Sequence, residues 1–425
     1  MFYRPWAALP KDAEFPCDLK ALGYFVNNED EIRSIESPDT YFKYHVDLLE
    51  RVNDRQRFAF NTAVESVIHG RLEKEGLEKI RLPWDTPEDE PHVPIFVSSD
   101  IKSKKRVIII FGETSQMLGA LAMRIVNGRG GVDKGSLVSI VREIKKQHCS
   151  PDDDDSPGII LANMGETFWW PEGKRALELP RWNATPAPSM VQVSRAFRPN
   201  YHCIKGHDNH HSHVEYIFDE VLNVLVRPDA KIDIIAVGDG GEAVEKFFNH
   251  KFTWAIFGPR VNSMVLLGDG VHSDLISCPG FKNFLKKRTR AYVVEPSLKE
   301  QVPLATSHEG HNGHAIHGYF GCPVYSSGEY NYIECILPRA KEHILKWIQQ
   351  VADDENYEND PNIATVNPYK EELGSPEAPE GDPWDDIPEE ERPTISFADR
   401  EMMETEVRLT RMWDNYKKTG RFESV

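Results

Sequence analysis

The chain has 425 residues, 40% of them apolar and 28% charged, which is the make-up of a globular protein of two or three domains or of one large α/β sheet with additions. Lys and Arg number 50 against 68 Asp and Glu, a net charge of −18 that argues against a nucleic-acid-coating role, because neutralising phosphates needs a basic surplus. Six cysteines without CxxC spacing argue against a zinc ribbon, a thioredoxin-type site or a dense disulfide framework.

The opening MFYRPWAALP lacks an apolar h-region, and no apolar run approaches the roughly 18 residues of a membrane-spanning helix, so a soluble nuclear and/or cytoplasmic protein is expected. Residues 1–90 read as an N-terminal helical extension. Within it Phe42, Val46, Leu49, Val52, Phe60, Val64, Val67, Ile68 and Leu72 recur mostly three or four apart, an apolar stripe on amphipathic helices over 40–75. Pro83, Pro87, Pro91 and Pro94 then mark a linker.

Residues 91–351 alternate strands with helices. The run RVIIIF at 106–111 is continuously apolar, as in a strand buried on both faces of a parallel sheet. Further strands are predicted at 95–97, 158–162, 232–237, 262–267, 290–294 and 323–325. Helices are predicted at 135–146, 213–225, 242–248, 280–285 and 333–351. The alternation predicts a doubly wound, mainly parallel α/β sheet with ligand-facing loops at the carboxyl ends of its strands. Residues 352–392 hold fifteen acids against two bases, a net of −13, and are expected to be an acidic disordered tether. Residues 393–421 regain helical character. There Met412, Trp413 and Tyr416 form a candidate face for docking on the same molecule or on a partner.

The stretch 232–248, IDIIAVGDGGEAVEKFF, runs a buried strand into a glycine-rich turn and a helix. Two devices have this shape: a phosphate loop and the nucleophile elbow of α/β hydrolases. The phosphate reading lacks a P-loop lysine, and Asp239 and Glu242 would repel phosphate at the helix start. The elbow needs small residues two before and two after the nucleophile. With Gly238 as the central residue these are Ala236 and Gly240, whereas centring on Asp239 requires the bulkier Val237 beside Gly241. The sterically sensible register therefore puts glycine where serine would attack, and glycine has no side chain to form a covalent intermediate. The acid of a triad could stand at Asp269 or Glu295, but the late loop 326–334, where its histidine belongs, contains none. Phe111-Gly112-Glu113 falls where an oxyanion-hole loop would be.

Nine of the sixteen histidines crowd two windows: His202, His207, His210, His211 and His213, then His308, His311, His314 and His317. The second window is a weak metal candidate. Its HxxH spacing lies in a glycine-rich loop rather than on a helix, and a solvated loop without metal or other cofactor is the simpler expectation. Trp169, Trp170 and Trp182 could floor a partner surface or pack as a lid. The basic runs 102–106 and 286–290 read as solvated strand entries or import signals.

The ordered segments FPCDLKALGYF (15–25), PHVPIFV (91–97), VIIIFGE (107–113), GVDKGS (131–136), IILANMG (159–165), HVEYIFDE (213–220), the turn 238–241 and YSSGE (325–329) resemble the fungal domain family named after argonaute-binding protein two. That domain also ends fungal class II histone deacetylases and is related to an animal family of cotranscriptional regulators. The resemblance spans about 14–350. It implies an α/β-hydrolase-like fold and a role in RNA-interference-linked heterochromatin, in an argonaute small-RNA chaperone complex. Animal relatives keep a serine in the elbow, from which Gly238 departs, so the resemblance carries over no catalytic residue. The expectation is a non-catalytic scaffold with protein partners of argonaute or chromatin-silencing type. Sequence-specific nucleic acid and membrane are not among its expected partners. The alternative is a hydrolase with a displaced site at Asp239 or at a histidine-bound metal.

Overall fold

The structure, a computed structural model, describes residues 8–192, 196–306 and 318–366. The expected helix at 393–421 with Met412, Trp413 and Tyr416, most of the tether, and His308, His311, His314 and His317 lie outside the described residues.

Among the described residues nine strands form one large sheet. They are Leu77–Leu82 (β1), Val93–Ser98 (β2), Arg106–Phe111 (β3), Gly158–Leu161 (β4), Lys231–Val237 (β5), Val261–Leu267 (β6), Thr289–Val293 (β7), Pro303–Ala305 (β8) and Val324–Ser326 (β9). Their spatial order is β1-β2-β4-β3-β5-β6-β7-β9-β8. From β4 to β9 the pairs are parallel, while β2 runs antiparallel to both neighbours and β8 antiparallel to β9. A reversed second strand, the exchange of β3 and β4, and a sharp turn after β5 define the α/β-hydrolase-like fold.

The helices that matter to the site are Glu50–Lys74 (α1), Leu137–Ile144 (α2), His210–Tyr216 (α3), Asp239–Phe248 (α4), Pro279–Arg288 (α5) and Ile336–Asp353 (α6). The two-residue period of a strand divides the apolar residues between two layers. Ile108, Ile110, Ile235, Val237, Val265 and Leu267 pack under α1, α2 and α6. Val107, Ile109, Phe111, Ile234, Ala236 and Leu266 pack under α3, α4 and α5. Both faces are thus covered, which is why the central strands read as unbroken apolar runs.

Four expectations are corrected. Among the described residues of 1–90, α-helix is confined to α1. Tyr24–Val26 pairs with Ile32–Ser34 as a short hairpin, and 77–82 is sheet edge β1. The sequence LEKIRL buries only Leu77 and Leu82 fully, as an edge strand with one solvated face does. The basic runs are not simply solvated. Lys104 is buried between Asp100 and Asp155, both at 2.8 Å, and Arg106 meets Asp233 at 2.6 Å with both side chains buried. Asp233 is further satisfied by Asn262 and Ser263, so the buried charge has its full set of partners.

The chain also stays packed past 352, where the tether was expected to begin. The Tyr357 hydroxyl accepts from Trp347 Nε1 at 2.8 Å, and the Asn359 amide donates to the carbonyls of Lys286 and Thr289. An acidic stretch orders here because one aromatic ring and one amide find a complete set of partners at the ends of α6 and α5.

Candidate functional site: a filled elbow

β5 delivers the chain to Gly238 at the carboxyl edge of the sheet, and α4 carries it away. Gly238 adopts φ 51 and ψ −120, a backbone region that side chains rarely enter. Its N–H donates to the Leu267 carbonyl at 2.9 Å, and its carbonyl accepts from Gly241 N–H at 2.8 Å, which pins the turn. A Cβ at Gly240 would stand 2.8 Å from the Gly112 oxygen and 2.9 Å from that of Phe111. The end of β3 therefore demands a small residue two after Gly238. The turn has the tight strand-to-helix geometry that a nucleophile elbow requires, with glycine at its centre.

The place of the missing side chain is taken. A Cβ built on Gly238 would lie 1.8 Å from Glu113 Oε1. The backbone N–H of Asp239 donates to the same Glu113 carboxylate. In a working elbow, the N–H of the residue after the nucleophile serves the oxyanion. Glu113 thus puts a carboxylate of the chain's own into the combined nucleophile and oxyanion position. Burial pushes its pKa up, and the neighbouring Asp239 carboxylate pushes further, to about 7. Asp239 itself is exposed, and its carboxylate accepts from Thr114 Oγ1.

The remaining triad positions are occupied by other business. Exposed Asp269 is bonded by Tyr319, and buried Glu295 accepts from the N–H and Oγ of Ser297. In the loop after β9, Ser327 Oγ donates to the Val293 carbonyl at 2.7 Å. Behind the elbow, Glu245 of α4 is buried and accepts from Val271 N–H at 2.6 Å. Burial lifts its pKa to about 8, so it is a neutral acid at neutral pH.

The first histidine window does not converge on one point. His202 packs against Trp182 and Phe197. His213 Nε2 accepts from Asn163 N–H at 3.0 Å, which leaves its Nδ1 to donate to His207 Nδ1 at 2.9 Å. That chain of bonds requires both rings neutral, and burial holds His207 at about 4 and His213 well below its ordinary value. His210 and His211 are half-buried and stand beside the elbow helix, where Glu242 meets them.

Trp169, Trp170 and Trp182 pack as a lid rather than as an open partner surface, which corrects the partner-surface half of the fourth expectation. Trp169 and Trp182 are buried, and Trp170 is partly so. Phe168–Trp170 and Arg175–Leu177 form a hairpin, in which Trp170 meets Phe58 of α1 edge-on. Beneath them Arg181 joins Glu65 and Glu166 at 2.5 Å each and Glu178 at 2.7 Å, all buried. This cross-linked charge cluster clamps the loop to α1 as a fixed lid.

Sequence reasoning put Gly238 in a tight turn between strand and helix, where the structure has it, and placed Glu113 in the neighbouring loop. It missed that Glu113 fills the elbow, because the contact depends on β3 and β5 lying side by side. The excess of acids around the turn was the available signal.

The strand order and the turn after β5 define a protein of α/β-hydrolase-like fold whose elbow is filled by its own glutamate. The Arb2 domain matches residues 15–298, and the chain belongs to that family. Similar curated proteins include the cotranscriptional regulator ARB2A homologs of Gallus gallus, 27% identical over 159 residues, and of Xenopus tropicalis, 29% identical. ARB2A of Homo sapiens is 25% identical. The matched segment is 36% of this chain and 36%, 35% and 36% of those three, so the chain spans about a third of the length of the curated relatives it matches. Among solved structures, the AtxE2 isopeptidase aligns at TM-score 0.30 with 11% identity, covering 65% of this chain and 41% of its own. A thermostable esterase from Pseudomonas putida aligns at 0.29 with 10% identity, covering 69% and 88%.

Proposed function

We propose that this chain is a non-catalytic α/β-hydrolase-like scaffold for protein partners in transcription- or chromatin-linked regulation. The assembly is of the argonaute small-RNA chaperone type, working in RNA interference and heterochromatin silencing. The observation that carries the non-catalytic part is the Glu113 carboxylate, seated where both a nucleophile and its oxyanion would be. The regulatory part is supported by membership of the Arb2 family and by relatives named as cotranscriptional regulators, and it implies nuclear work. No helix among the described residues is long and apolar enough to cross a membrane.

A second reading is favoured by one feature. Glu113, near pKa 7 beside Asp239, lies in the range of a general acid or base, so a hydrolase with a displaced site at Asp239 remains the competitor.

The test is affinity purification of the tagged chain from its own cells, with quantitative mass spectrometry, for the native chain and for Asp239→Asn. The scaffold reading expects argonaute or chromatin subunits at equal recovery in both. Recovery of neither class, together with small-molecule turnover lost in Asp239→Asn, would replace it with the hydrolase reading.

A further inference from the structure

We propose that His210, His211 and Glu242 form a binding site for a divalent transition-metal ion, with zinc the ion whose ligand chemistry they fit. Each offers one donor atom, and the three atoms lie within 4.8 Å of one another. A point equidistant from three atoms at that separation is about 2.8 Å from each, so closing to the 2.0–2.2 Å of zinc–nitrogen and zinc–oxygen bonds takes shifts of under about 1 Å, within reach of half-exposed side chains. Two imidazoles and one carboxylate, with the remaining position open to solvent, match the ligand count of an open zinc site.

The fold brings these groups together from two elements. Asn209 caps α3 by accepting from Ser212 N–H at 3.1 Å, which sets His210 and His211 in the first turn with ring centroids 4.1 Å apart. The same helix widens to i→i+5 bonding over Ile217–Val221, a distortion that often accompanies functional sites. Glu242 comes from the first turn of α4, directly after the elbow. Asp239 and Glu242 both stand in the first turn of α4, so a cation entering here meets negative charge. Nothing in the scaffold reading requires this site, and its failure would leave that reading intact.

One group competes with the ion. Lys246 Nζ sits 2.5 Å from Glu242 Oε1 one turn along α4, in a half-exposed ion pair. The site therefore makes a prediction that a purely structural histidine cluster does not. Freeing Glu242 by Lys246→Ala should tighten binding.

The experiment titrates zinc into the full chain against a chromophoric chelator. All proteins carry alanine at His308, His311, His314 and His317 to remove that second window as a source of signal. The expected result is one equivalent bound. The affinity should fall about tenfold or more in each of His210→Ala, His211→Ala and Glu242→Gln, a scale at which even outer-shell partners act. It should rise about two- to fivefold in Lys246→Ala, the worth of an exposed ion pair. Zinc should also raise the melting temperature of the parent but not of the three ligand variants. Absence of binding in the parent, or equal affinity in the parent and the three ligand variants, would overturn the site. So would a weaker site in Lys246→Ala.

Discussion

Glu113 is the residue on which the chemistry of the elbow turns. Its pKa lies above the ordinary carboxyl value of 4.5 because burial and the Asp239 charge disfavour ionisation. An acid with a raised folded-state pKa binds its proton more tightly when folded. Its contribution to stability is complete below about pH 4.5 and is lost as pH rises through 7. Replacing it with Gln keeps an acceptor for the Asp239 N–H and removes the charge. Glu113→Gln should therefore be more stable than the native chain at about pH 8, by on the order of 1–2 kcal/mol, with the difference shrinking toward about pH 4.5. Thermal melts of the two proteins across this range check it. A difference that is the same at both ends would mean that the carboxylate is not held as described.

At the scale of elements, the most informative segment is the one that follows α6. Tyr357 and Asn359 close the sheet's flank through Trp347, Lys286 and Thr289, and Val366 N–H donates to the Pro303 carbonyl of edge strand β8. A chain ending at Val351 loses these contacts, whereas one ending at Val366 keeps them. The shorter form should be less stable by about 2–4 kcal/mol in denaturant titration, from a lost buried ring and orphaned donors at Trp347 and Arg290. Equal midpoints would mean that the segment does not pack. The same segment shows why the sequence was only partly legible. All seven strands read from apolar runs are present, because the central strands are covered on both faces and declare themselves locally. The edges β1 and β8 were missed because LEKIRL and PLA have one face or neighbour fewer to satisfy. The order in 353–366 was missed because composition counted its acids and could not see two side chains finding distant partners.

At the scale of the whole molecule, the fold keeps the backbone of a hydrolase. The order of β1 to β7, the reversed β2, the covered faces and the strained turn are all retained. At that turn the Glu113 carboxylate, from the loop after β3, stands where a side chain at 238 would begin. The elbow was readable because small residues at fixed spacing are a local requirement. The plug was not, since it joins residues 113 and 238 across two neighbouring strands.

The most direct measurement is hydrolysis of a panel of activated esters and amides by the full-length chain, alongside Asp239→Asn and Gly238→Ser. No turnover above the buffer rate is expected in any of the three. The serine variant stays silent because its Cβ collides with Glu113 and the loop at 326–334 supplies no histidine. Turnover by the native chain that disappears in Asp239→Asn would contradict a non-catalytic scaffold.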